Sequence, residues 1–394
     1  MITLGLLLFW TASGFMFHSY VLYPFLLRLF ALGKRENTLV FDFNDSNLPV
    51  VYVIFSVYNE ERVIREKLES IFKTNYPVHK LQVYIGSDNS IDHTNAIIDE
   101  FAANYNQLHF YKFEGRNGKS KVINNLMQFL TEAKADGVLI FTDANVMFTP
   151  DTVYHLVKHF KNEHIGQVGA NILNKGVSAD GISHQEKSYI QRENQLKYLE
   201  GLNWGSMIGA FGACYAMRTN LWGDIPPNYL MEDFYLSMSI LSKDKLAILE
   251  KQAICYEDVS NEVGEEFKRK TRIQAGNFQN LEVYWKLLLK LNAVAFCFFS
   301  HKVIRWFGPL FILMAYLGNL LLIHHPFYFI TYLLQNILLI SPVIDQLLKR
   351  INVNIRLLRF ASYFIMMNIA LVKGFLMYRQ GVKTSVWSPT KRNI

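Results

Sequence analysis

The stretch GVLIFTDANVMF, Gly137 to Phe148, sets an apolar run against two oxygen-bearing side chains. Val138, Leu139, Ile140 and Phe141 suit a strand buried on both faces. Asp143 and Asn145 follow, one residue apart, before Val146, Met147 and Phe148 return to apolar text. An isolated Asp-x-Asn after a strand is most often a polar turn. The alternative is a pair of hard oxygen ligands presented at a strand end, and the surrounding sequence decides between the two.

Outward from this stretch the chain alternates strands and helices. VVYVIFSV is β-rich, and NEERVIREKLESIF is helical, with Val63, Ile64, Leu68 and Ile71 on one face. LQVYIGS is a second strand, with a helix starting near Asp92 or Thr94. LHFYKF is a third strand, Ser120 to Leu130 a helix, and GVLIFTD a fourth strand. The expected fold class is therefore α/β, a parallel sheet covered by helices on both faces. Ligands in such sheets bind beyond the carboxyl ends of the strands. Three polar clusters sit at those ends: Asn59–Glu60–Glu61, Asp88–Asn89–Ser90 and Asp143–Asn145. Their convergence on one edge favours a binding site, and it assigns Asn59 and Glu60 to the pocket.

Each cluster has chemistry to offer beside its plain role as a turn or cap. Asp88 lies in a short polar loop, where it can accept a hydrogen bond from a nucleotide base or ribose. GRNGKSKVINN brings two glycines and Lys119 to a helix start, a setting for an anionic phosphate. Neither GxxxxGK[ST] nor GxGxxG occurs, which counts against P-loop and dinucleotide-binding classes. Asp143 and Asn145 suit a hard divalent cation completed by diphosphate oxygens, with the cation acting as a Lewis acid. Glu232 and Asp233 precede an amphipathic helix; the helix dipole favours them there, and one of them can serve as a general base. The basic run in EEFKRKTRIQAGNFQNL fits either a pyrophosphate or a membrane surface.

The remainder of the 394 residues is strongly apolar in places. Ile2 to Phe30 contains no acidic residue and is long enough to cross a hydrocarbon core of about 30 Å. It lacks a basic start and a cleavage site, so it reads as a retained anchor. Phe307 to Ile323 and Phe327 to Ile344 are further candidate spans, and Leu357 to Met377, carrying Lys373, is a weaker one that reads as interfacial. The expected organisation is an anchor over 1–33, a globular domain over 34–282, an interfacial helix over 283–303, transmembrane helices over 304–378 and a basic tail over 379–394. Basic residues crowd the apolar boundaries, placing the domain in the cytoplasm of a multi-pass inner (plasma) membrane protein. The net charge of +7 is explained by anionic lipid and an anionic substrate rather than by nucleic acid. Cys214, Cys255 and Cys297 show no paired or metal-ligand spacing, as in a reduced compartment.

With these pieces in order, the chain resembles the family 2 inverting glycosyltransferases, which have a GT-A (Rossmann-like) nucleotide-sugar-binding fold. It looks closest to the membrane-anchored bacterial branch related to polysaccharide synthases. The resemblance is carried by SYVLYPFL, VYNEE, SDNSIDHT, GKSKVIN, FTDAN, GACYAMR, MEDFYLS, RKTRIQAGNFQ and the closing W-S-P-T-K-R. It implies that Asp88 contacts the base, that Asp143 opens the metal motif for Mg2+ or Mn2+, and that Lys119 lies near the diphosphate. It also implies that Asp233 is the catalytic base beside Glu232, and that Arg272 keeps the arginine of the family's QxxRW motif. Asn145 replaces the second aspartate of the metal motif, and the glutamine and tryptophan of QxxRW are missing from RKTRI. These departures favour transfer of a single sugar, from a UDP-sugar to a membrane-associated glycan or lipid acceptor, over processive polymerisation or an inactive scaffold. Other polysaccharide-biosynthesis proteins are possible partners.

Overall fold

The computed structural model describes residues 1–175, 183–258, 262–351 and 353–387. Eight strands form one sheet: β1 (Val51–Val57), β2 (Leu81–Ser87), β3 (Leu108–Lys112), β4 (Val138–Thr142), β5 (Val146–Phe148), β6 (Ile165–Lys175), β7 (Cys214–Arg218) and β8 (Leu246–Asp258). Their order is β3-β2-β1-β4-β7-β6-β8-β5. The helices are α1 (Ile2–Phe17), α2 (Tyr23–Phe30), α3 (Ile64–Phe72), α4 (Thr94–Asn104), α5 (Lys119–Glu132), α6 (Thr152–Val157), α7 (Ser183–Trp204), α8 (Glu232–Ser242) and α9 (Val263–Tyr284). Then follow α10 (Ala293–Cys297), α11 (Ile304–Trp306), α12 (Gly308–Leu321), α13 (Pro326–Arg350) and α14 (Arg356–Arg379).

The apolar runs fill both faces of the sheet because side chains alternate along a strand. Val53, Phe55, Val138 and Ile140 pack with Ile64 and Leu68 of α3 on one face. Ile54, Leu139 and Phe141 pack with Val122 and Leu126 of α5 on the other. The tract expected as helix from Asn59 begins only at Ile64. Asn59 takes a left-handed φ of 51°, and its side-chain oxygen accepts from the Ile91 N–H at 2.9 Å, so this stretch joins two loops instead of opening a helix.

The all-parallel expectation is corrected. β1 pairs in parallel with β2 and β4, and β2 with β3, but β7 lies antiparallel between β4 and β6. The reversal has a consequence for the site. An antiparallel neighbour begins where β4 ends, so the residues before β7 lie beside Asp143, whose N–H donates to the Ala213 carbonyl at 3.2 Å. Beneath the Asp143–Asn145 turn, buried Lys67 donates to Thr142 Oγ1 at 2.9 Å and to the Val146 carbonyl at 2.5 Å, tying the two sides of the turn together.

The apolar helices form a separate layer. α1 and α2, joined by one π turn, make a continuous apolar length from Ile2 to Phe30, and α13 is also long and apolar enough to cross a membrane. α1 runs antiparallel to α12: Gly5 meets Leu322, and Gly318 meets the Gly5 carbonyl and Phe9. Small residues permit that approach between helices. α10 and α11 lead into α12 through a 65° bend. α14 meets the same length and composition test. It nevertheless lies along the charged helix α9, with Tyr363 bonded to Glu186 of α7, Gly374 against the Thr271 carbonyl and Tyr378 bonded to Glu282.

Candidate active site

Five of the nominated side chains meet at the carboxyl end of β4. Lys119, first residue of α5, bridges two acids: its Nζ lies 2.7 Å from Asp143 Oδ1 and 2.7 Å from Glu232 Oε1. Burial alone would lower the Lys119 pKa, but Asp143 and Glu232 outweigh it and hold the ammonium protonated. Arg272, from α9, approaches the same acids; burial lowers its pKa while Glu232 and Asp143 raise it. α9 reaches the site because Asn280 donates to the Met231 carbonyl and Gln279 accepts from the Leu230 N–H, both just ahead of α8. The expected basic cluster divides here. Arg269 and Lys270 are engaged by Glu186 and Glu266, and Arg272 is left to face the site.

Asp233, second residue of α8, is 8% exposed, and its carboxylate accepts from the Phe234 N–H at 2.8 Å. Burial raises its pKa to about 6, the charge of Glu232 adds to the rise, and Lys119 and Lys197 oppose it. The Asp233 carboxylate rests against Gly212, where an added Cβ would lie 2.8 Å from Oδ2. The Ser237 hydroxyl donates to the Asp233 carbonyl at 2.7 Å and accepts from the Ala210 N–H at 3.0 Å, which fixes α8 to the loop before β7.

Asp88 is fully buried. Its carboxylate accepts from the N–H groups of Asn117 (2.6 Å) and Gly118 (3.1 Å) and pairs with Arg116 at 3.2 Å. It therefore shapes the loop ahead of α5. Asn59 and Glu60 likewise hold loops: the Asn59 N–H donates to Ser90 Oγ and the Glu60 N–H to Thr94 Oγ1. The sequence singled out the closing W-S-P-T-K-R but not that the stretch leading into it lies across these loops. Arg116 stacks 3.2 Å above the Tyr58 ring and donates to the Trp387 carbonyl, while Arg272 donates to the Ser385 carbonyl at 2.8 Å. Gly118 (φ 83°) has no room for a Cβ, which would meet Ser385. The W-S-P-T-K-R motif is described only at Trp387; the rest, with Lys391 and Arg392, lies outside the described residues.

The oxygen-only donor set at β4 suits a hard cation such as Mg2+ or Mn2+, which takes one or two carboxylates from protein and its other ligands from phosphate and water. Asp143 offers a partly exposed carboxylate, and the Asn145 amide is oriented by a hydrogen bond to Glu257 of β8. Among the described residues no three His, Cys, Asp or Glu side chains form a self-sufficient metal cluster.

Residues 52–221 match the family model described as glycosyl transferase family 2. The chain is 26% identical over 251 residues to a beta-monoglucosyldiacylglycerol synthase of Nostoc sp., a match covering 62% of this chain and 52% of that protein. It is 31% identical over 125 residues to the probable glycosyltransferase YdaM of Bacillus subtilis, covering 30% and 28%. The match to the synthase thus spans about half of that relative's length. Among solved structures, the mannosyltransferase PcManGT from Pyrobaculum calidifontis, in complex with GDP-Man and Mn2+, superposes with a TM-score of 0.70. The superposition covers 96% of this chain and 98% of that one at 19% identity, which is a likeness of fold.

Proposed function

We propose that the chain, whose residues 52–221 match glycosyl transferase family 2, moves one sugar, with inversion, from a UDP-sugar to a membrane-associated lipid or glycan acceptor. The observation that carries the reading is the meeting of Lys119, Asp143, Glu232, Asp233 and Arg272 at one sheet edge. It supplies, side by side, charge for a diphosphate and a buried carboxylate of raised pKa for a hydroxyl proton.

In this reading Asp143 and Asn145 hold the divalent cation, which when bound supplies Lewis-acid neutralisation of the diphosphate. Arg272 and Lys119 stabilise negative charge on the departing nucleoside diphosphate. Asp233 takes the proton of the acceptor hydroxyl as its oxygen attacks the anomeric carbon from the face opposite the leaving group. The bond to the diphosphate breaks as the glycosidic bond forms, which inverts the anomeric centre. Asp88 and Arg116, with Tyr58, frame the base end of the pocket.

Proximity to the apolar layer favours a lipid acceptor: Trp306, at the bend before α12, packs on Phe234, the residue after Asp233, with ring centroids 5.5 Å apart. The Nostoc relative, named for a lipid glycoside, points the same way. For the membrane we infer three crossings, Ile2 to Phe30, α12 taken together with the bent stretch of α10 and α11 before it, and α13, with α14 lying at the surface along α9. This count returns 385–387 to the side of the pocket that it touches. Release of nucleoside diphosphate from a panel of nucleotide sugars, with and without lipid acceptors in vesicles, tests the reading. Acceptor-dependent UDP release with a single added sugar is expected; a growing polymer would favour a processive synthase instead.

A further inference from the structure

The least expected buried group is Lys197, on the α7 face that also carries Glu193 and Glu200. Spacings of four and three residues put these three on one side of a helix, and they are 2%, 3% and 0% exposed in chain order. Both acids are already engaged. Glu193 binds His301, Lys302 and Arg305, while Glu200 binds His301, Tyr23 and the Ile208 N–H. Among the described contacts Lys197 has no hydrogen bond and no ion pair; its Nζ stands 3.3 Å above the Phe211 ring. The next residue, Gly212, is the one that the Asp233 carboxylate rests against.

A buried ammonium held by a ring face and by no hydrogen bond among the described contacts is costly, and apolar residues serve packing better. Its presence beside a buried carboxylate that, among the described residues, accepts a hydrogen bond from the neighbouring N–H alone asks for a reason in the reaction. We propose that Lys197 is a positioning residue for sugar transfer, presenting across Phe211–Gly212 the positive charge that keeps Asp233 a carboxylate when the acceptor hydroxyl arrives. The inference rests on the reading of Asp233 as the base. The charged and titratable groups around Asp233 are Glu232 on its own helix, Lys119 on α5, Tyr215 on β7 and Lys197 on α7. Around Lys197 they are Glu193 and Glu200 on α7, Lys302 before α11, and Asp233. Burial and Lys302 push the Lys197 pKa down to about 7 against the upward pull of the three carboxylates, so the ammonium is present at the pH of the acidic limb. Among the described contacts Glu193 and Glu200 each have side-chain partners, and Asp233 has none.

The test is the pH profile of kcat/KM for the full chain in lipid vesicles, with wild type, Lys197→Met and Lys197→Arg. Loss of the ammonium should move the acidic limb up by about one pH unit, a roughly tenfold loss of rate below the limb. Lys197→Arg should keep the limb in place. The melting temperature of Lys197→Met should be unchanged or higher, because a buried charge is removed. Should the methionine variant not fold, Lys197→Gln carries the same measurement. A limb that stays in place in the neutral variant overturns the proposal. If instead Asp233→Asn turns over at the wild-type rate, the base reading itself is wrong, and that result is distinct from an unmoved limb.

Discussion

Asp143 and Asn145 stood out in the sequence as candidate ligands because an apolar strand seldom gives way to two such oxygens without a use. Asp143→Ala should abolish turnover and weaken metal-dependent nucleotide binding, measurable by titrating Mn2+ against fluorescent nucleotide; unchanged metal dependence would remove Asp143 from that role. Arg272 was legible through its motif, but its neighbours were not, since only folding shows that Glu186 and Glu266 claim Arg269 and Lys270. Arg272→Ala should slow transfer by roughly ten- to a hundredfold, the equivalent of one charge-assisted bond of about 1.5–3 kcal/mol. Rates left intact with altered vesicle attachment would return it to the membrane surface. Asp233 carries a pH signature. Its pKa is raised, so it is a competent base above about 6 and protonated below, and kcat/KM should fall about tenfold per pH unit under that value. Lys197 was not legible at all, because α7 reads as a polar helix and its burial is decided by contacts with distant parts of the chain.

Strands β1 to β4 could be read from their apolar runs, and their parallel pairing followed from the alternation with helices. The antiparallel insertion of β7 could not be read, since CYAMR is too short to reveal its direction. That insertion is what sets Gly212 and Ala213 against Asp233 and Asp143. Helices α7, α9 and α14 are joined by Glu186, whose carboxylate meets Arg269 at 2.5 Å, Lys270 at 3.4 Å and the Tyr363 hydroxyl at 2.7 Å. Burial alone would raise its pKa, but Lys270 and Arg269 overcome this and hold it down at about 2. A depressed carboxylate stabilises the fold fully above its unfolded value near 4.5, and that stability is lost as pH falls towards 2. Glu186→Gln should therefore lower stability at pH 7 by about 3–5 kcal/mol, as for a broken buried pair. The gap in melting temperature from wild type should narrow between pH 4.5 and 2; a gap constant with pH would assign the loss to packing.

At the scale of the whole molecule, the number of crossings is odd or even according to whether Leu357–Met377, read from the sequence as interfacial, enters the bilayer. Its alignment along charged α9 gives that helix a protein partner over most of its length. With α14 at the surface, cysteines placed at His324 and at Gly381 should label from opposite sides of sealed vesicles; labelling from one side would contradict three crossings. In the proposed reading the acids of α8 stand where a lipid-borne hydroxyl meets a nucleotide sugar, and the most direct test of that account is Asp233→Asn in vesicles containing a lipid acceptor. Turnover should fall by roughly 10²–10⁴-fold while the donor Kd stays at its wild-type value. A donor affinity that falls in proportion to the rate would contradict it, making Asp233 a substrate-holding residue and leaving Glu232 to be tried as the base.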